Sequence, residues 1–313
     1  MTANQRIPVL LDTDIGSDID DAACLAYLLR QPDCELAGIT TVSGRDPRER
    51  AALASAVCRA AGRDDVPIHS GAACRILDGE VVQPDVPQAA VLNRFDHCRA
   101  GDFAANTAVQ FLQTTINARP GELTLLAIGP MTNLGLLFAL DPEIPRKLKR
   151  LVLMCGYFGA RPLFGSGQSC SEWNARCDPL AAHIVYRAPV ADHLSVGLDV
   201  TTLVIMPTAE CVSRFQNAGG PWQVVSAMTE IWGHRAEQVT FHDPLAATLL
   251  FQPQICTYQQ GQVTVEYASA RSAGLTCFDR RDTGGAHRIA WDVNPQAFFN
   301  EYFGTSSLIL PEV

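Results

Sequence analysis

Five aspartates fall within ten residues of this chain: Asp12, Asp14, Asp18, Asp20 and Asp21, in the stretch LLDTDIGSDIDDAACLAYLL. Carboxylates this crowded repel one another, and a site that keeps them ionised usually supplies a cation. With oxygen donors only and no His or Cys nearby, the expected cation is hard, calcium or magnesium. The spacing is not that of an EF-hand loop, which needs a Gly at its sixth position and a terminal Glu. Helix capping is the plainer role, since Asp20 and Asp21 open a helix and complement its dipole. That accounts for one or two of the five.

The elements around this cluster fix where it sits. IPVLL reads as a first strand, followed by a helix over 20–30, strand ELAGITTV, a helix over 47–62, strand VPIHSG and a helix over 103–117. The alternation continues through LTLLAIG, a helix over 132–140, RLVLMCG, a helix over 178–188 and DHLSV. Short, nearly all-apolar strands between amphipathic helices predict an α/β fold, doubly wound, with a mainly parallel central sheet. The aspartates then lie in the loop at the carboxyl edge of the first strand, where such sheets bind ligands. Two irregular stretches, 72–101 and 156–177, follow strands and belong to the same edge. From about 253 the texture changes, with GQVTVEY and HRIAWDV predicting short antiparallel strands before a final helix near 295–302. No repeat or linker divides the chain, so residues 1–313 are expected to form one domain.

Composition narrows the partners. A chain of 313 residues with 47% hydrophobic content is expected to bury roughly three quarters of its unfolded surface. A net charge of -9 argues against nucleic acid, whose binding relies on clustered Lys and Arg, and points to a small-molecule substrate. No apolar run approaches the roughly 18 residues of a membrane span and no secretory pattern opens the chain, which predicts a soluble protein with no membrane partner. Eleven cysteines, scattered without a C-x-x-C pair, predict reduced core thiols in the cytoplasm.

Two resemblances compete for the first motif. A D-x-D at a first strand is similar to that of the haloacid-dehalogenase-like phosphatases, which implies Asp12 as a phosphorylated nucleophile and Asp14 as acid-base partner. No fitting downstream Lys and acidic pair accompanies it. More of the chain resembles the calcium-dependent nucleoside N-ribohydrolases, through DTDIGSDIDDA (12–22), AIGPMTNLGLL (127–137), SEWN (171–174) with DPLAA after it, GLDVT (197–201) and HDPLA (242–246). Five motifs in the family's order make a strong match.

That resemblance implies a nucleoside hydrolase fold, bound calcium, a homodimer or homotetramer, and specific roles. Asp14 is implied as a calcium ligand and as the base for a metal-bound water, with Asp21, Asp243 and the backbone carbonyl of Thr132 as further ligands. Thr132 also reads as a plain helix N-cap. Glu172 and Asn174 are implied to hold ribose 3' and 5' hydroxyls, with Asp18 or, preferably, Asp20 at the 2' hydroxyl. SEWN otherwise reads as a polar loop around a packed Trp173. His242, beside Asp243, is the expected leaving-group contributor, by a proton or a hydrogen bond, and Trp232 and His234 are candidates for the nucleobase pocket. His234 is read as two helical turns before His242 on about the same face. Asp12 and Asp199 are expected to support loops.

The chain also departs from the family. Two extra residues separate Gly16 from the last Asp pair of the usual D-x-D-x-G-x-D-D. Arg45 stands where the family usually has an Asn, so it points away, pairs with Asp46 or another acid, or reads an anionic substrate group. An H-G-x-D-G-L-G region is replaced by NRFDHCRAGDF, where Asp96 and His97 are a loose echo, and no asparagine stands in the GSGQS of 165–169. Arg45 keeps a third class open: a relative that binds nucleosides or ADP-ribose without turnover.

Overall fold

The computed structural model describes residues 6–161, 171–282 and 285–306. Six parallel strands form the centre of the sheet: β1 (Ile7–Thr13), β2 (Cys34–Thr41), β3 (Ile68–Ser70), β4 (Thr124–Ala127), β5 (Arg150–Met154) and β6 (His193–Val196). Their spatial order, β3-β2-β1-β4-β5-β6, reverses direction between β1 and β4. In doubly wound sheets that reversal opens a crevice at the carboxyl ends of the two strands. The first aspartates lie at one of its lips.

Three further strands extend the sheet to nine. β7 (Ile205–Pro207) and β8 (Gln238–Thr240) form a separate antiparallel pair, whereas β9 (Cys256–Val265), β10 (Thr276–Asp279) and β11 (His287–Val293) continue the large sheet beyond β6. β11 pairs parallel with β6 and antiparallel with β9, which pairs antiparallel with β10. The predicted antiparallel end of the sheet is therefore present, with β10 as an added strand.

Central strands buried on both faces explain the apolar runs. Val9, Leu10 and Leu11 of β1 have no exposed surface, with Val9 and Leu11 in the core on one side and Leu10 in the core on the other. Pro8, lacking an N–H, precedes the β1–β4 ladder, which begins at Val9. One face carries α1 (Asp20–Arg30), α2 (Pro47–Ala60), α10 (Pro221–Gly233), α11 (His242–Thr248) and α12 (Pro295–Ser306). The other carries α3 (Ala108–Ala118), α4 (Thr132–Leu140) and α7 (Pro179–Arg187). Short α5 (Ile144–Lys147), α6 (Trp173–Cys177) and α8 (Leu198–Thr201), with α9 (Thr208–Ala218), complete the helices.

The fit of expected to observed elements is uneven. The helices over 20–30 and 132–140 and strand 287–293 fall as predicted, while the helix expected over 103–117 starts at Ala108, after Asn106 takes a positive φ of 58° that an α-helix does not accommodate. Among the described residues, no helix is long and apolar enough to cross a membrane. The ten described cysteines are all free.

Candidate active site

The crevice is a cavity of about 460 Å³. Its floor is acidic: Asp14 and Asp18 enter from the β1–α1 loop, Asp20 and Asp21 from the first turn of α1, and Asp243 from the first turn of α11. Carboxylate oxygens of Asp20, Asp21 and Asp243 lie within 4.8 Å of one another, and all three residues are buried. Asp14 borders this trio, and the Asp243 amide donates to Asp20 Oδ2 at 3.3 Å. Thr13 Oγ1 donates to Asp21 Oδ1.

Burial raises the carboxyls of Asp14, Asp20, Asp21 and Asp243 above the ordinary range, and for the last three the neighbouring carboxylates raise them further. Asp18, half-buried, is raised to about 6, first by burial. A group of oxygen donors this close and this poorly solvated is costly as bare anions and suits a hard divalent cation. The residues present can therefore hold a metal ion. Asp20, expected at the ribose, stands among them.

Capping does not explain the cluster. Ile19 occupies the N-cap of α1 without a side-chain hydrogen bond, so Asp20 and Asp21 are first-turn residues whose carboxylates line the cavity rather than cap the helix. Thr132 likewise is not a cap, because Met131 holds that position in α4 and the Thr132 hydroxyl donates to Asp178 Oδ2 at 2.8 Å. Thr132 is not part of the wall of the acidic cavity and lies beside Ser43, Ala72 and Cys177 instead.

Above the floor, Glu172 caps α6: Oε1 accepts from Asn174 N at 2.7 Å, and Oε2 accepts from Ala175 N at 2.9 Å and Gly156 N at 3.1 Å. Asn174 donates through Nδ2 to the carbonyls of Ile128 at 2.7 Å and Met154 at 3.0 Å, which leaves its amide oxygen for a ligand. Both residues line the cavity, as does Trp173, which is 44% exposed rather than packed. Asp199 takes no part in the cavity wall; its oxygens accept from Phe158 N at 2.7 Å and Ala160 N at 2.6 Å and so shape the loop after β5. The 165–169 segment falls outside the described residues.

The cavity is also lined by His242, Leu198, Trp232, Arg235 and the Gln83–Asp85 segment with Pro87. His242 Nδ1 and Thr201 Oγ1 lie 2.7 Å apart, and burial of the ring lowers its pKa to about 4. The imidazole is neutral near pH 7 and suited to a hydrogen bond. Trp232 is fixed by Nε1 donating to the Gln238 carbonyl at 3.0 Å.

Several expected residues are elsewhere. His234 is exposed at the C-cap of α10 and does not border the cavity; β8 separates it from α11, so it shares no helical face with His242. Arg45 is also outside the wall, 75% exposed and 3.9 Å from Asp85. Asp46 is taken by Arg48 at 2.8 Å. Asp96 pairs with Arg59 at 2.7 Å and His97 Nδ1 meets the Phe95 carbonyl at 2.9 Å, both away from the site.

Asp12 is fully buried, with Oδ1 accepting from Thr40 Oγ1 at 2.5 Å and from Asn133 Nδ2 at 2.7 Å. A nucleophile must reach substrate, so the phosphatase alternative fails on this geometry. Burial raises this carboxyl to about 7.

Four residues escaped the sequence reading. Asn133 ties Asp12 to the Thr41 carbonyl and Ala72 amide, and Asp178 links Thr132, Ile76 and the start of α7. Asp178-Pro179 carried a signal, Asp at an N-cap followed by Pro at the first helical position. Arg235 sat in a segment with no assigned element. Arg50, fully buried, carried no signal beyond its place in the expected helix over 47–62.

A doubly wound sheet with a carboxylate-floored crevice at its switch point defines an α/β enzyme acting on a small molecule. Residues 9–300 match the family described as inosine-uridine preferring nucleoside hydrolase, and the chain belongs to that family. It is 30% identical over 278 residues to a probable uridine nucleosidase of Oryza sativa subsp. japonica, covering 85% of this chain and 84% of that one. A pyrimidine-specific ribonucleoside hydrolase of Citrobacter koseri is 29% identical over 286 residues, covering 87% and 88%. In fold, the chain is similar to a purine-preferring ribonucleoside hydrolase from Gardnerella vaginalis, with a TM-score of 0.81, 22% identity and coverage of 96% and 100%. The chain is accordingly a hydrolase of N-glycosidic bonds in ribonucleosides.

Proposed function

We propose that this protein hydrolyses a pyrimidine ribonucleoside, uridine foremost, with calcium in the acidic floor. The observation that carries the reading is the buried Asp20, Asp21 and Asp243 trio beside Asp14 in one cavity with Glu172, Asn174 and His242. The names of the relatives at 29–30% identity support the choice of uridine. Oxygen donors alone favour calcium over softer ions.

In this mechanism Asp14 takes the proton of the attacking water. Asp14, Asp21 and Asp243, with a backbone oxygen of Thr132, would hold the ion, and Asp20 would serve the ion or the ribose. When bound, calcium supplies Lewis acidity that eases the loss of that proton and orients ribose hydroxyls. Glu172 Oε1, with a lone pair spare, and the Asn174 amide oxygen receive the outer ribose hydroxyls. As the glycosidic bond breaks, the sugar gains oxocarbenium character, which the surrounding carboxylates stabilise. His242 hydrogen-bonds the departing base, and Trp232 flanks it.

The test is sugar release from uridine, cytidine, inosine and adenosine with calcium present, in wild type and Asp14→Asn. Release by wild type, fastest from uridine and lost in the variant, supports the reading. Calcium binding with no sugar released from any of them overturns it in favour of a nucleoside or ADP-ribose binder without turnover. We further propose a cytoplasmic homodimer or homotetramer, for which light scattering of the purified chain is the check.

A further inference from the structure

We propose that Arg50 is a positioning residue that clamps the acidic β1–α1 loop and ties it to the neighbouring 82–88 segment of the cavity wall. It sits one turn into α2 with no exposed surface. Its guanidinium donates through Nε to the Ser43 carbonyl at 2.9 Å and through Nη2 to the Gln83 carbonyl at 3.3 Å. Nη1 donates to the carbonyls of Asp14 and Ile15, the latter at 3.0 Å, and to Ser17 Oγ at 3.1 Å. Three chain segments converge on one side chain.

The backbone around these acceptors is unusual. Among the described residues, only Ser43, Gln83 and Asn106 are non-glycines with positive φ, and the first two, at 70° and 56°, present their carbonyls to Arg50. Left-handed backbone at such residues persists only where the surroundings hold it. Gly16 and Gly44, at 116° and 99°, supply the neighbouring turns. Further bonds run between the same segments: Ser43 Oγ to the Val82 carbonyl at 2.6 Å, Ser17 Oγ to the Asp85 carbonyl at 3.3 Å, and Gln88 N to the Gly16 carbonyl at 3.1 Å.

Among the described residues, Arg50 makes no ion pair within 4.0 Å, and its acceptors are neutral oxygens. A planar fork of five donors matches that set; a lysine ammonium keeps the charge without the fork. Pinning the Asp14 and Ile15 carbonyls fixes the chain from which the Asp14 carboxylate reaches the cavity. The Gln83 bond fixes the adjoining wall segment to the same point.

Hydrogen exchange on the metal-free protein tests the clamp, with Arg50→Met and Arg50→Lys beside wild type. Arg50→Met is expected to speed exchange at least tenfold in both 14–18 and 83–88, leaving α3 and α7 unchanged, with Arg50→Lys intermediate. Unchanged exchange in those segments in a folded variant overturns the proposal. If Arg50→Met does not fold, Arg50→Lys decides by the same comparison. A calcium titration gives a second readout, resting on the calcium reading above. A clamp predicts at least tenfold weaker binding in Arg50→Met, whereas a purely electrostatic role predicts tighter binding once a buried cation beside carboxylates is gone, and that result also overturns it. Absence of calcium binding in wild type would sink the calcium reading alone, since exchange still decides the clamp.

Discussion

Two carboxylates stand two positions apart, Asp12 near the end of β1 and Asp14 just beyond it, and differ in everything around them. Asp12 is enclosed by Thr40 and Asn133, while Asp14 opens on the cavity. Asp14→Asn is expected to lower kcat about 10²–10⁴-fold, the range for losing a general base, as read by ribose release at saturating calcium. His242, held neutral, is expected to add no ionisation limb to kcat/KM between pH 5.5 and 8. His242→Gln should cost about tenfold in kcat, the scale of one lost hydrogen bond. A limb near pH 6.5 that disappears in His242→Gln would show that the imidazole works as a proton donor instead. Most cavity residues were legible because they are adjacent in sequence, as in DIDD, SEWN and HDP. Arg50 was not, because its acceptors come from 14–17, 43 and 83, and nothing in PRERAALASAV shows those loops closing on it.

Between the strands and helices, short loops set how near backbone can come to the site. A Cβ at Gly129, just beyond β4, would lie 2.9 Å from the Asp14 amide nitrogen, from Asp14 Oδ1 and from Val42 Cγ1. Gly129→Ala is expected to cost about 1–3 kcal/mol in stability, the usual range for overpacking, and to cut kcat by displacing Asp14. Gly101→Ala, with open space around its Cβ, is the control that should leave Tm and kcat unchanged. The parallel strands were readable from their apolar runs because both faces are buried. Residues 197–252 were not, because α8 to α11 follow one another with only two three-residue strands between them, and His234 was placed on a helix that ends at Gly233. Arg45 was misleading for a related reason: a loop residue's direction depends on partners such as Asp85, which sequence distance hides.

For the molecule as a whole, buried carboxyls link stability to pH and to the cation. Asp12 and Asp18 are raised to about 7 and 6, against about 3.9 in an unfolded chain, so folding takes up protons between those values. Their contribution is fully present below about pH 4 and is lost as pH rises to 7. The pairs that lower Asp46 and Asp192 act in the opposite sense, below that window. Thermal melts of chelator-treated protein should therefore show Tm falling from pH 4 to 7, and saturating calcium should raise Tm most at the upper end. A Tm that rises with pH without metal would contradict this. The contact between the Asp243 amide and Asp20 also spans 223 positions of sequence. On a ribosome, the first aspartates emerge long before the residue that completes their cluster. Until Asp243 has been made, the nascent chain has no full cradle for a cation, and its acidic loop stays hydrated. A cation held by all three carboxylates can be captured only after Asp243 has emerged, with the strands β9, β10 and β11 still to follow.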